Sequence, residues 1–350
     1  MNLSIGIVGL PNVGKSTLFN GLTKKSVLAA NYPFATIDPS VGVVPVPDQR
    51  LGLLSAFSKS QKTVPAIVEF VDIAGLVKGA ATGEGLGNQF LSHIRECDAI
   101  LEVVRVFEDG DIIHVHNTVN PKNDIEVINL ELTLADLSTV EKRLQNVSRD
   151  AKRGDKAAIL EEGVLQKILP ALKDGKLAAS VALTPEEEEV LKGMHLLTKK
   201  PILYALNKKS GDKDANIEET TAYIKSLGSD YVIVDAKTNE EVKEMEGTER
   251  QEFLKELGAD DGIDLLIKKS YEVLGLETFF TTGEDETRAW TIKKGSSARE
   301  AGAAIHTDFR EKFIRADVIF WKDLLDVGSY AAAREKGLIR TEGKEYIVKD

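Results

Sequence analysis

The chain has 350 residues, of which 42% are hydrophobic and 29% charged, with a formal net charge of −11 and a single cysteine, Cys97. That length holds two or three domains, and that composition excludes a disordered chain. The acidity excludes general adhesion to polyanions, so a nucleic-acid contact needs local basic patches, and the lone thiol excludes both an intrachain disulfide and a thiolate metal cage. The first residues, Met1-Asn2-Leu3-Ser4, run into a strand with no basic leader, and no apolar stretch reaches membrane-spanning length. A cytoplasmic location is expected, with neither a membrane nor sequence-specific DNA as a partner.

Leu3, Ile5, Ile7 and Val8 read as a buried strand, and Ser16 to Leu22 opens like a helix. Between them Gly9-Leu10-Pro11-Asn12-Val13-Gly14-Lys15-Ser16-Thr17 satisfies G-x-x-x-x-G-K-[ST], the pattern of a phosphate-binding loop in a nucleotide hydrolase. Its glycines let successive N–H groups, from Asn12 through Val13 and Gly14 to Thr17, turn toward a polyphosphate at the positive end of the helix. Lys15 adds a point charge at the β/γ oxygens, and the Ser16 hydroxyl takes a Mg²⁺ position.

Ala29 to Pro39 is a proline-punctuated loop, followed by strands at Val41–Val44, at Ala66–Val71 and, after a helix-like segment, at Ala99–Val104. Strands alternating with helices predict a doubly wound, mostly parallel sheet with its ligand at the carboxyl ends of the strands. Asp72 closes the second of these strands and is placed to reach the metal through water. Gly75 can give its N–H to the γ-phosphate, and Thr36 completes the metal shell. Leu76 follows that glycine, where Ras-type enzymes carry a water-orienting glutamine, so either intrinsic hydrolysis is slow or another group supplies that function.

From about Asp124 the period turns helical, with Ile128, Leu132 and Ala135 on one stripe, and residues 157–172 repeat that character. Together they predict an inserted helical hairpin. Its tip is Arg149 to Lys156, and the stretch from Lys142 to Lys156 holds six Lys/Arg against two Asp/Glu, as fitting for a solvated face as for a docking patch. Thr184-Pro185-Glu186-Glu187 predicts a capped helix start.

Strands resume at Pro201–Leu206 and Asp230–Val234, with helices around 217–227, 240–257 and 263–274. Asn207-Lys208-Lys209-Ser210 stands where guanine readers carry N-K-x-D. Ser210 offers no bidentate carboxylate, whereas Asn207 can pair with adenine N6 and N7, so the pocket is expected to prefer ATP, or at least not to prefer GTP. Ala236-Lys237 is placed to back the base. After Gly275-Leu276, short strands at 278–281 and 288–292 and a helix at 298–306 predict a small α+β module. From Thr287 to Arg315 it carries seven Lys/Arg against three Asp/Glu, with Trp290 and Phe309 interleaved, a weak sign of RNA contact.

On the stretches Gly9–Thr17, Asn31–Ile37, Asp72–Val77 and Arg288–Gly295, and on Ala304–Phe309, the chain resembles the Obg-like ATPases of the YchF type. The resemblance implies a P-loop NTPase domain (1–123 and 197–275), an inserted coiled-coil domain (124–196) and a C-terminal ubiquitin-like TGS domain (276–350). It also implies that the TGS domain lacks its last strand here and leaves a sheet edge unpaired. ATP hydrolysis with Mg²⁺, and binding to the ribosome (large subunit or whole particle), follow from the same resemblance. Residues 107–115 match the family's mobile loop, which gives His114 the water-positioning role beside Lys15 and Gly75. Two other readings stay open at this point: a GTPase that tolerates the altered base motif, and a nucleotide-gated scaffold with little turnover.

Overall fold

The structure, a computed structural model, describes residues 3–23, 40–73, 87–108, 119–209, 216–242 and 262–350. Thr36, Gly75, Leu76, His114 and Ser210, and most of the helix expected at 240–257, lie outside them. The described residues divide into two compact units, one of 43–68 and 267–350 and the other of the remainder.

Strand β1 (Ser4–Val8) leads through the phosphate loop into helix α1 (Lys15–Thr23). Then come β2 (Val41–Pro45), α2 (Gln49–Ser58), β3 (Lys62–Val64), β4 (Ile67–Asp72), α3 (Asn88–Glu96) and β5 (Ala99–Arg105). After a helical insertion, β6 (Ile202–Asn207), α7 (Ile217–Ser226), β7 (Asp230–Val234) and α8 (Ala236–Glu241) complete a six-stranded sheet of order β2-β4-β1-β5-β6-β7. All the central pairs are parallel. Only β2 runs against its neighbour: Asp72 N–H donates to Ser40 O and Val46 N–H to Ala66 O, each at 2.8 Å, a reversed register. Every residue of β5 and β6 is buried, as central strands covered on both faces require. Because the strands are parallel, their carboxyl ends meet at one margin, which is the doubly wound α/β arrangement expected.

The insertion begins with α4 (Pro121–Ala151), capped by Asn120, which accepts from Asn123 N–H at 3.1 Å. Its first turns bury Ile125, Ile128 and Leu132 with Phe90, Ile94, Ile100 and Val104 of the sheet domain. Its later turns bury Val140, Val147 and Ala151 against Val164, Leu165, Ile168 and Leu172 of α5 (Lys156–Lys173). Spacings of three, four and seven recur among these residues and place them on one stripe of each helix. Asp155 caps α5, accepting from Ala158 N–H at 2.9 Å. Helix α6 (Pro185–Lys192) starts with the anticipated capping box: Thr184 Oγ1 accepts from Glu187 N–H at 3.3 Å, and Glu187 accepts from Thr184 N–H at 3.0 Å.

The chain re-enters the sheet under a buried clasp. Asp136, fully enclosed, accepts from Leu197 N–H (2.9 Å), Thr198 N–H (2.7 Å) and the Thr198 hydroxyl (2.7 Å). Arg95 of α3 donates to His195 O at 3.2 Å and to Thr139 Oγ1 at 3.1 Å beside it.

After α9 (Gly262–Val273), the other unit holds β8 (Leu276–Thr282) and β9 (Glu286–Lys293), an antiparallel pair longer than the sequence implied. A third strand joins them from far upstream: β3 pairs in parallel with β9, Lys62 opposite Glu286, in a sheet of order β3-β9-β8. Helices α10 (Ala298–Ile305), α11 (Phe309–Lys312), α12 (Trp321–Val327) and α13 (Tyr330–Glu335) follow, with β10 (Arg315–Val318) and β11 (Arg340–Gly343) as an antiparallel pair. Leu54, Leu324 and Ala333 form the buried centre there. Among the described strands, β8 is at one margin of its sheet and β10 has β11 as its sole neighbour.

Candidate nucleotide site

The loop between β1 and α1 has the backbone that its glycines allow. Gly9 and Gly14 have φ of +145° and +97°, and Asn12 sits at +62°, in the left-handed region that asparagine tolerates. A Cβ on Gly14 would overlap the side-chain nitrogen of Asn207, and one on Gly9 the carbonyl of Val103, so both positions need glycine for space as well as conformation. Leu18 N–H donates to Gly14 O at 2.9 Å, so helical bonding begins within the loop.

Lys15 folds back over this loop. Its Nζ donates to Gly9 O at 3.0 Å and to Leu10 O at 2.6 Å. Burial lowers its pKa to about 8, opposed by the charge of Asp72, which favours the protonated amine. Asp72 stands at the end of β4, nearly buried and opposite Ile7 in the register. The Ser16 hydroxyl is on an exposed residue of the first turn of α1.

Asn207 ends β6 and ties the two halves of the site together. Its Nδ2 donates to Val13 O at 2.9 Å, and its Oδ1 accepts from Ala236 N–H at 3.0 Å. With both ends of the amide engaged by backbone, one N–H and one lone pair remain for a base. Lys208 N–H donates to Val234 O at 2.8 Å, which fixes the neighbouring lysine. Asp235 caps α8 by accepting from Thr238 N–H at 2.9 Å, and so presents Ala236 and Lys237 on the helix's first turn.

These elements enclose a cavity of about 260 Å³. Asn12, Gly14 and Thr17 line its phosphate end, and Asn207, Lys208, Ala236 and Lys237 line the other, all of them positions anticipated from sequence. Phe107, Lys209 and Glu240 also line it and were not anticipated as site residues. Phe107 carried a signal, as the first residue of the stretch 107–115 that matches the family's loop. Glu240 carried none, because it reaches the cavity only through the placement of α8.

Residues 4–133 match the family model MMR_HSR1, described as a 50S ribosome-binding GTPase, and residues 276–350 match YchF-GTPase_C, described as a protein of unknown function. A Bacillus subtilis protein named ribosome-binding ATPase YchF is 52% identical over 356 residues, covering 100% of this chain and 97% of the relative. The protein of that name from Escherichia coli O157:H7 is 48% identical over 353 residues with the same coverage. The solved structure of the Schizosaccharomyces pombe YchF GTPase superposes with a TM-score of 0.92 at 39% identity, covering 100% of this chain and 96% of that one. Such identity over the whole length, on the same fold, shows that the chain belongs to the YchF family.

Proposed function

We propose that the chain is a Mg²⁺-dependent ATPase whose nucleotide state governs its association with the ribosome. The observation that carries this reading is the cavity joining the phosphate loop to Asn207, Ala236 and Lys237, in a chain whose relatives are named ribosome-binding ATPases. Asn12 to Thr17 hold the polyphosphate, and Lys15 exchanges its two carbonyl contacts for β/γ oxygens. Asn207, with Lys208, Ala236 and Lys237, bounds the base. The acid that would select guanine has no counterpart in Ser210.

Ser16 and Asp72 offer hard oxygen donors of the kind Mg²⁺ takes, and with Thr36 they are the residues that would hold it. When bound there, the ion would supply charge neutralisation for the polyphosphate. Gly75 gives its N–H to the γ-phosphate, and His114 orients the attacking water in place of the side chain Leu76 lacks.

Contact with ribosomal RNA falls to the hairpin tip and the TGS domain. Around the tip Arg143 is taken up by Glu161 (2.5 Å) and Arg153 by Asp150 (3.1 Å). Lys142, Arg149, Lys152 and Lys156 are exposed and able to meet phosphates.

Separate titrations of ATP and GTP against the Mg²⁺-loaded protein test the nucleotide, with tighter ATP binding expected; a GTP preference overturns that choice. Steady-state hydrolysis should collapse in His114→Ala, and undiminished turnover would remove the histidine's role. Sedimentation with ribosomes should show binding that depends on the nucleotide and falls steeply with salt.

A further inference from the structure

We infer that Arg105 is a positioning residue for nucleotide recognition: it holds the Phe107 ring as the stacking wall of the base end of the pocket. This rests on the nucleotide reading above. Arg105 closes β5 opposite Asn207 in the register and is among the largest fully buried side chains of the molecule. Its Nε donates to Phe107 O at 3.0 Å, and its guanidinium lies 4.6 Å from the centre of the Phe107 ring. One side chain therefore fixes both the backbone and the ring plane of the residue that lines the cavity.

The geometry suits a guanidinium and no other cation. A planar fork donates along its edge while its face lies on an aromatic ring, whereas an ammonium is a point charge that does one or the other. With one face of the ring covered by Arg105, what Phe107 offers the cavity is its other face and edge, an apolar surface against which a purine stacks without regard to its hydrogen-bonding pattern. Arg105 is not among the residues that line the cavity and thus acts on the base through Phe107.

The test separates the base end of the pocket from its phosphate end. Mg·ATP and inorganic tripolyphosphate, which has no base, are titrated calorimetrically against wild type, Arg105→Lys, Phe107→Leu and the double variant. Arg105→Lys should weaken ATP about ten-fold and leave tripolyphosphate within about two-fold. Phe107→Leu should do the same, and the double variant should lose little more than either single one. In steady state the change should appear in KM with kcat nearly kept.

Equal losses for both ligands, additive losses in the double variant, or unchanged ATP affinity would overturn the inference. Should Arg105→Lys fold poorly, Phe107→Leu alone decides, since an unchanged ATP affinity there removes the stacking wall. Wild type that binds neither ligand brings down the nucleotide reading itself, a failure distinct from the others.

Discussion

The phosphate loop and the helical hairpin are built on opposite principles. The loop has its glycines at positive φ, a lysine turned onto its own carbonyls, and an asparagine from 194 residues away tying Val13 in place. The hairpin is regular helix around an apolar stripe, with ion pairs on its outside. A site assembled from single polar contacts is brittle at each of them, while a packed stripe spreads its stability over many residues and tolerates losses on its surface.

Gly14→Ala should break the loop outright. The added methyl collides with the Asn207 amide at a φ of +97°, and Mg·ATP affinity should fall by a factor on the order of a thousand, about 4 kcal/mol. Equilibrium titration reads it. In the hairpin, Ile168→Ala should cost roughly 3 kcal/mol in denaturant unfolding, because a fully buried side chain leaves a cavity, yet spare ATP affinity in the folded fraction. Equal damage to binding would show that the two regions are not independent.

Protonation sharpens the same contrast. Lys15 is held near 8 by burial, and the polyanion needs its charged form, so ATP affinity should be fully present below that pH. Above it, affinity should weaken by up to about ten-fold per pH unit, measured as the pH dependence of Kd. Glu102 is pushed well above its ordinary value of 4.5, first by complete burial and then by Asp124, with Tyr204 and Tyr223 also nearby. A raised folded-state pKa on an acid means stability is fully present below about 4.5 and is lost as pH rises through the folded value. Glu102→Gln should flatten that slope and add roughly 1 kcal/mol at alkaline pH, read by thermal unfolding across pH. Smallest of all, Arg143→Ala should cost at most about 0.5 kcal/mol, since Arg143 meets Glu161 at the hairpin surface with its own side chain half in water.

What could be read from sequence was what is local. The phosphate loop, the capping box at Thr184 and the short apolar runs that build β5 and β6 each depend on residues a few positions apart, and they stand where expected. Strand β3 could not be read: it is three residues long, and its partner β9 lies more than 200 residues onward, so no short-range pattern marks it. Within the site, the phosphate end was legible because one motif makes it. The base end was legible at Asn207, Lys208 and Ala236-Lys237 and not at Glu240, which is brought in by the tertiary placement of α8, and Phe107 was read as loop without a place in the pocket. The amide of Asn207 also does more than its sequence context suggested, since a hydrogen-bonding side chain gives no sign of which backbone it will bind.

Helix α4 belongs to two cores at once, with Ile125, Ile128 and Leu132 in one and Val140, Val147 and Ala151 in the other, and the Asp136 clasp lies between them. At 1.5 Å per residue the stretch from Asp136 to Ala151 is a rigid arm of about 22 Å, so a swing of about 10° about the clasp would sweep its end through about 4 Å. Because the helix is unbroken, leverage of that kind comes with its length, and a displacement of a side chain's width at the far end requires only a small rotation at the near one.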